Sequence, residues 1–214
     1  MMNIEETLKE PQKINFVNIL KNFKEVLKNL NSMIYIVCLG LLLGGLLTFI
    51  NICQPLYLNY FDMGSKFPLF FALIASMLGL SSYLNSKYVW KFGAGKIALS
   101  FSLLLMVWTF INLIFQTNYF SLNLVWFSIF IMISFSFFGF IFGNLNALAI
   151  TPFGHIAGYA SSIIGSLSTL IALVVSGTST TFFDGSPDIV IFTLSTCSLL
   201  TFLLLFLQRY FAAK

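Results

Sequence analysis

Residues 97–183 read IALSFSLLLMVWTFINLIFQTNYFSLNLVWFSIFIMISFSFFGFIFGNLNALAITPFGHIAGYASSIIGSLSTLIALVVSGTSTTFF, with no Asp, Glu, Lys or Arg. His155 is the only imidazole in the chain. A charge at the centre of a membrane-spanning helix costs about 2.5–3.5 kcal/mol on insertion scales, so a chain in lipid moves its charges to the rims. Residues 29–61, 67–86 and 189–208 are equally free of charge. The pattern predicts a polytopic membrane protein.

Composition agrees. The residues are 58% hydrophobic and 8% charged, and mean hydropathy is +0.94; a soluble domain carries about 25% charged residues. The 26 Phe exceed what a soluble core of this length needs. Cys38, Cys53 and Cys197 lie in apolar runs and are odd in number, which argues against a disulfide framework. One His and no CxxC argue against a zinc or haem site, so no metal and no cofactor is expected. The net charge of +4 does not predict a nucleic-acid partner, because the lysines flank apolar spans. No signal peptide is expected: the first 32 residues are polar, and the first long apolar run starts at Met33.

A crossing helix needs about 20 residues. Turn residues and charges divide the chain into six spans: Met33–Tyr57, Phe67–Leu84, Ile97–Phe115, Leu122–Phe142 with a polar tail to Ile150, Ile156–Ser176, and Ile189–Leu207. The expected loops are Asn59–Lys66, Asn85–Lys96 with its Gly93-Ala94-Gly95 break, Gln116–Tyr119, Thr151–His155 and Gly177–Asp188. The fold class is therefore all-α, a helix bundle with six transmembrane helices. Its expected units are a cytoplasmic linker (1–32), the six-span domain (33–208) and a cytoplasmic tail (209–214).

With six spans, only Lys66 of the 11 Lys and Arg residues falls on the side opposite the termini. The positive-inside rule then makes both termini cytoplasmic; the expected location is a bacterial inner membrane. Five or seven spans would scatter the lysines. A β-barrel would need alternating apolar and polar residues, whereas Leu39–Leu47 and Leu199–Leu207 are almost wholly apolar. Ahead of the spans, Phe16, Ile19, Leu20, Phe23, Val26, Leu27 and Leu30 recur at helical spacing, with Lys21, Lys24, Glu25 and Lys28 opposite. This predicts an amphipathic helix, either lying at the cytoplasmic surface or packed on loops as a connector.

Every Asp and Glu lies in an expected loop or tail, so the spans lack the acidic residue that proton-coupled pumps keep in the membrane. His155 is read as bonding the start of the fifth span. Asn51 and Gln54 share a face of the first span beside Pro55, which loosens local hydrogen bonding. They either line a substrate cavity or glue helices together, at about 0.6 kcal/mol per hydrogen bond. Asn144 and Asn146 close the fourth span, with Ser134 and Ser136 deeper; packing is the nearer reading for each. Gly154, Gly158, Ser162 and Ser166, with Gly165 and Thr169 alongside, predict a close-packing face on the fifth span. Gly40/Gly44 and Gly139/Gly143 repeat the device. No catalytic residue is expected and the chain does not read as an enzyme: no GxSxG stands near a buried base, and GAGK at 93–96 lacks the P-loop spacing.

The run GNLNALAITPFGHIAGYASS (143–162) resembles the junction of the tenth and eleventh spans in bicyclomycin-resistance-type drug/proton antiporters of the major facilitator superfamily. NSKYVWKFG (85–93) looks like that family's basic loop between spans eight and nine. FDGSP (183–187) is similar to its last external loop, and Glu6-Thr7-Leu8 to the ETL after its sixth span. The resemblance covers nearly the whole chain but half the twelve-span architecture. It implies the C-terminal six-span half of a multidrug-efflux transporter, without the proton-carrying carboxylates and antiporter motif of the first half. It implies that Asn51, Gln54 and Pro55 face the central cavity. The implied partners are the lipid bilayer, a separately encoded N-terminal half or a second copy, and a small hydrophobic drug-like substrate. An inactive remnant of a split gene is one alternative; a small membrane protein that assembles with a partner without transporting is another.

Overall fold

The computed structural model describes residues 16–118 and 123–212, and every regular element among them is helical. Seven α-helices follow in order: α1 (Phe16–Lys28), α2 (Leu30–Pro55), α3 (Phe67–Phe92), α4 (Ala94–Asn118), α5 (Leu124–Ile150), α6 (Ala157–Thr180) and α7 (Asp188–Ala212). Five helical stretches are long and apolar enough to cross a membrane: Leu30–Tyr60, Phe67–Phe92, Ala94–Gln116, Leu124–Thr180 and Asp188–Phe211. At 1.5 Å per residue α2 measures about 39 Å, beyond the ~30 Å hydrocarbon core. This is the make-up of a multi-pass membrane protein. Residues 1–15, with Glu6-Thr7-Leu8, Lys9 and Lys13, lie outside the described residues, as do Tyr119, Leu122 and Lys214.

Local chemistry sets the helix ends. Asn29 caps α2 by accepting from the Ser32 amide at 3.0 Å. Asn123 caps α5 by accepting from Trp126 N at 2.8 Å. Each satisfies an amide that the helix itself cannot. Pro55 ends α2, because it has no N–H to offer the Asn51 carbonyl; a π-turn, Leu56–Tyr60, follows. Gly93, at φ 81°, stops α3 in a conformation that other residues resist, and α4 starts at the next residue.

Numbering across contacts gives the helix directions. The Ser168 hydroxyl donates to Ile36 O at 3.3 Å, and Gly40 and Gly44 lie against Ile171 and Val175. The numbers rise together, so α6 runs parallel to α2. Against α5 they run oppositely: Ser32 Oγ donates to Ala149 O at 3.0 Å, while Tyr57 reaches Ser128, oxygen to oxygen, at 3.2 Å. Hence α5 and α6 are antiparallel. The chain reverses inside the stretch Leu124–Thr180, at the 3₁₀ turn Thr151–Ile156, where Phe153 leaves helical geometry (φ −114°, ψ 31°).

Helix α2 sits centrally, against α5, α6 and α7. Its antiparallel course to α7 is marked by Cys38 Sγ to Thr201 O (3.8 Å) and Gln208 Nε2 to Asn31 Oδ1 (3.2 Å). Helix α4 packs between α5 and α7, and α3 lies outermost against α5. The core is aromatic: Phe49, Tyr57, Phe127, Phe130 and Phe138 are fully buried, and the Phe49 and Phe135 rings meet edge to face at 5.3 Å. Such pairs add about 0.5–1.5 kcal/mol beyond area burial.

Two expectations differ from the structure. Asn85–Phe92, expected as loop, is helical, and the break narrows to Gly93. Lys87 and Lys91 are exposed on this last stretch of α3, with their ammonium groups over the Tyr83 and Phe92 rings at 4.5 and 5.5 Å. The close-packing face of α6 also lies elsewhere. Ala160, Ile164, Ser168, Ala172 and Ser176 are buried, whereas Gly158, Ser162, Gly165 and Ser166 are exposed. A Cβ at Gly154, Gly158 or Gly165 would meet nothing within 4 Å. Both rows repeat every four residues, and α6 is turned so that the more apolar one meets α2.

Candidate substrate-pathway face

A groove of about 320 Å³ opens between α2, α5 and α6. Leu39 and Leu43 form its α2 wall, Gly143 and Asn146 its α5 wall, and Gly165 and Thr169 its α6 wall. None of the residues lining it is charged. At 100° per residue, Leu39, Leu43, Leu47 and Gln54 fall within about 80° of one another, so the α2 wall continues to Gln54. Gln54 is exposed there and Pro55 half-buried.

The other candidates separate. Asn51 is turned toward α6, where its Nδ2 donates to Ser176 Oγ at 2.9 Å. Asn144 faces inward. It is buried, and its Nδ2 donates to Asn85 Oδ1 at 2.8 Å and to Phe140 O at 2.7 Å. It therefore ties α5 to α3 and does not reach the groove. Asn146, two residues on, is exposed in the groove. Ser134 and Ser136 donate to carbonyls of their own helix. Gly139 lies against Ser81 and Leu78 of α3, while a Cβ at Gly143 would make only an ordinary contact, 3.9 Å from Asn85 Nδ2.

His155 does not bond the start of α6. Its Nε2 lies 3.0 Å from Glu25 Oε1, which ties α1 to the reversal between α5 and α6. Outside the spans, Asp184 accepts from the Ser186 amide at 2.9 Å. The hydrogen bond from the Ser186 side chain, then that from its amide, hold the Asp184 carboxyl below its usual range. Among the described residues no three His, Cys, Asp or Glu side chains gather to hold a metal ion.

The groove can offer neutral donors and acceptors, from Asn146 and Thr169, on a greasy wall, with Gln54 beyond it on the same face of α2. That chemistry suits an apolar solute with a few polar atoms.

No protein-family model matches the chain, and no curated protein or solved structure matches it at a significant level.

Reading from sequence missed Asn85 because Lys87 and Lys91 follow it. It also missed a polar seam between α4 and α7, where the Thr109 and Ser198 hydroxyls meet at 2.8 Å and Ser195 donates to Thr109 O at 3.2 Å. The signal was there: Ser195 and Ser198 stand three apart in an apolar helix, a spacing that puts both on one face.

Proposed function

We propose that this chain is one half of a secondary transporter of the major facilitator, multidrug-efflux kind. It furnishes one wall of a pathway for small hydrophobic solutes. In this reading it crosses a bacterial cytoplasmic membrane six times, with α2 to α7 as the crossings and both termini in the cytoplasm. The second wall comes from a separately encoded six-span half or a second copy. The amphipathic α1 lies at the cytoplasmic surface.

The observation that carries the reading is the open face of α2, α5 and α6. Gln54, Asn146, Thr169, Ser162 and Ser166 are polar and exposed on these three helices. Polar groups facing acyl chains are disfavoured. A face that mixes them with glycines suits a protein surface packed close by and a solute held between two walls, as in transporters built from paired repeats. The reversal at Thr151–Ile156 supports six crossings, and the concentration of Lys and Arg at the end holding Lys96 and Arg209 supports the orientation.

Co-expression with a six-span partner half, followed by dye or drug efflux from energised vesicles, tests it. Efflux is expected with both halves and none with this chain alone. Efflux by this chain alone, with no self-association, contradicts it. An assembled but inert complex favours the other reading, an assembly partner without transport.

A further inference from the structure

A larger cavity, of about 560 Å³, lies at the end of the bundle where α2 and α4 begin and α5 and α7 end. Each of these helices packs on two others of the set: α2 on α5 and α7, α4 on α5 and α7. The cavity is therefore the mouth of a four-helix ring. Its floor is apolar, with Ala98, Leu99 and Leu205. Among the described residues its charged lining is Lys96 and Arg209, both exposed, and no carboxylate lines it. Neither cation has an ion-pair partner among the described residues.

We propose that this cavity binds a phosphate group, carried on an anionic lipid headgroup or on a free phosphorylated solute. Among the described residues these two cations lie beside an apolar floor with no carboxylate lining the cavity, and together they attract an anion more strongly than either alone. The arginine fork matches phosphate oxygens in pairs, and the lysine adds a point charge. Gly93 and Gly95 leave the first turn of α4 bare beside them. The free amides of that turn can donate hydrogen bonds to an anion, while the C-termini of α5 and α7 at the same mouth offset the helix-dipole field. Basic pockets between membrane helices at the cytoplasmic side suit lipid headgroups; a mouth open to water suits a soluble phosphate equally. The inference is independent of whether the chain transports anything.

The test uses the full chain purified in a neutral detergent. Thermal shift and competition binding are read with dioleoylphosphatidylglycerol, with inorganic phosphate, and with dioleoylglycerol as the lipid that lacks phosphate. Phosphatidylglycerol or inorganic phosphate is expected to raise Tm, and dioleoylglycerol is not. Response to the lipid alone identifies a headgroup site, and competition by inorganic phosphate identifies a free-phosphate site; both support the proposal. The double variant Lys96→Gln/Arg209→Gln should bind about tenfold more weakly, because charge-assisted hydrogen bonds are lost. Gly95→Leu keeps both charges but fills the mouth, where a Cβ meets nothing within 4 Å, and it should lose binding too. It decides the matter alone if the double variant does not fold. Lys87→Gln/Lys91→Gln, at the same rim but outside the cavity, should bind as the parent does. The proposal is overturned if neither phosphate probe binds, if Gly95→Leu retains full affinity, or if the Lys87/Lys91 variant loses as much as the cavity variant.

Discussion

Asn144 and Asn85 form a buried amide pair, 2.8 Å apart, that joins α5 to the outermost helix, α3. They are 2% and 8% exposed, in a helix pair that also buries Ser81 against Gly139. Asn144→Leu strands the Asn85 carbonyl. The expected cost is about 1–2 kcal/mol, since an unmade buried hydrogen bond costs more than a made one contributes. Thermal or denaturant unfolding in detergent measures it. A double-mutant cycle with Asn85→Leu should return a coupling of about 0.6 kcal/mol, the average for membrane helices.

Gly40 and Gly44 are where α2 and α6 approach most closely, since a Cβ there would come within 2.6 Å of the Cβ of Ile171 and of Val175. β-branched side chains cannot swing away, so Gly40→Ala or Gly44→Ala should cost about 1–3 kcal/mol through overpacking. The same unfolding measurement checks this.

Gly165→Leu on the exposed row should leave the isolated chain's stability within about 1 kcal/mol of the parent, because it adds bulk into open space and removes a flexible residue from a helix. The same change should abolish association with a partner half, if that row is a contact. Cross-linking of Ser162→Cys offers a second readout, with low background because Cys38, Cys53 and Cys197 are buried.

The turn at Asp184 should respond to acid. Its carboxyl is held below its usual range, first by the Ser186 side chain. A depressed carboxyl contributes order above its unfolded pKa and loses it as pH falls through the lower, folded value. The protection of the Ser186 amide, taken relative to the free-peptide exchange rate at each pH, should therefore fall below the ordinary carboxylate range and stay constant from neutral pH to the edge of that range. Asp184→Asn should remove this pH dependence.

The His155–Glu25 pair is 61% and 39% exposed, so water and salt screen it. His155→Ala should cost at most about 1 kcal/mol, and less at high ionic strength. Its stronger effect should be on α1. Protease sensitivity between α1 and α2 should rise while the bundle stays intact.

Charge placement made the helices legible, because lipid penalises a misplaced charge far more than water rewards a good turn. Rotation about each helix axis was less legible. In α6 two rows of small residues share one period, and only the shapes of Ile171 and Val175 on that helix, meeting Gly40 and Gly44 on α2, decide which row is inside. Asn85 was hidden by the lysines after it, since a helix that outruns the hydrocarbon looks like a loop to any reading based on polarity. Of the candidate groove, Gln54 and Asn146 could be named from their residue type, but their separation from Asn51 and Asn144 depends on partners more than a hundred and about sixty positions away in sequence.

Gly93 is the whole connection between α3 and α4. Since α3 packs on α5 and scarcely on α4, that single corner is what aims it. A flexible insert there would let α3, which has little of its surface covered, drift from its seat on α5 without disturbing the rest of the bundle.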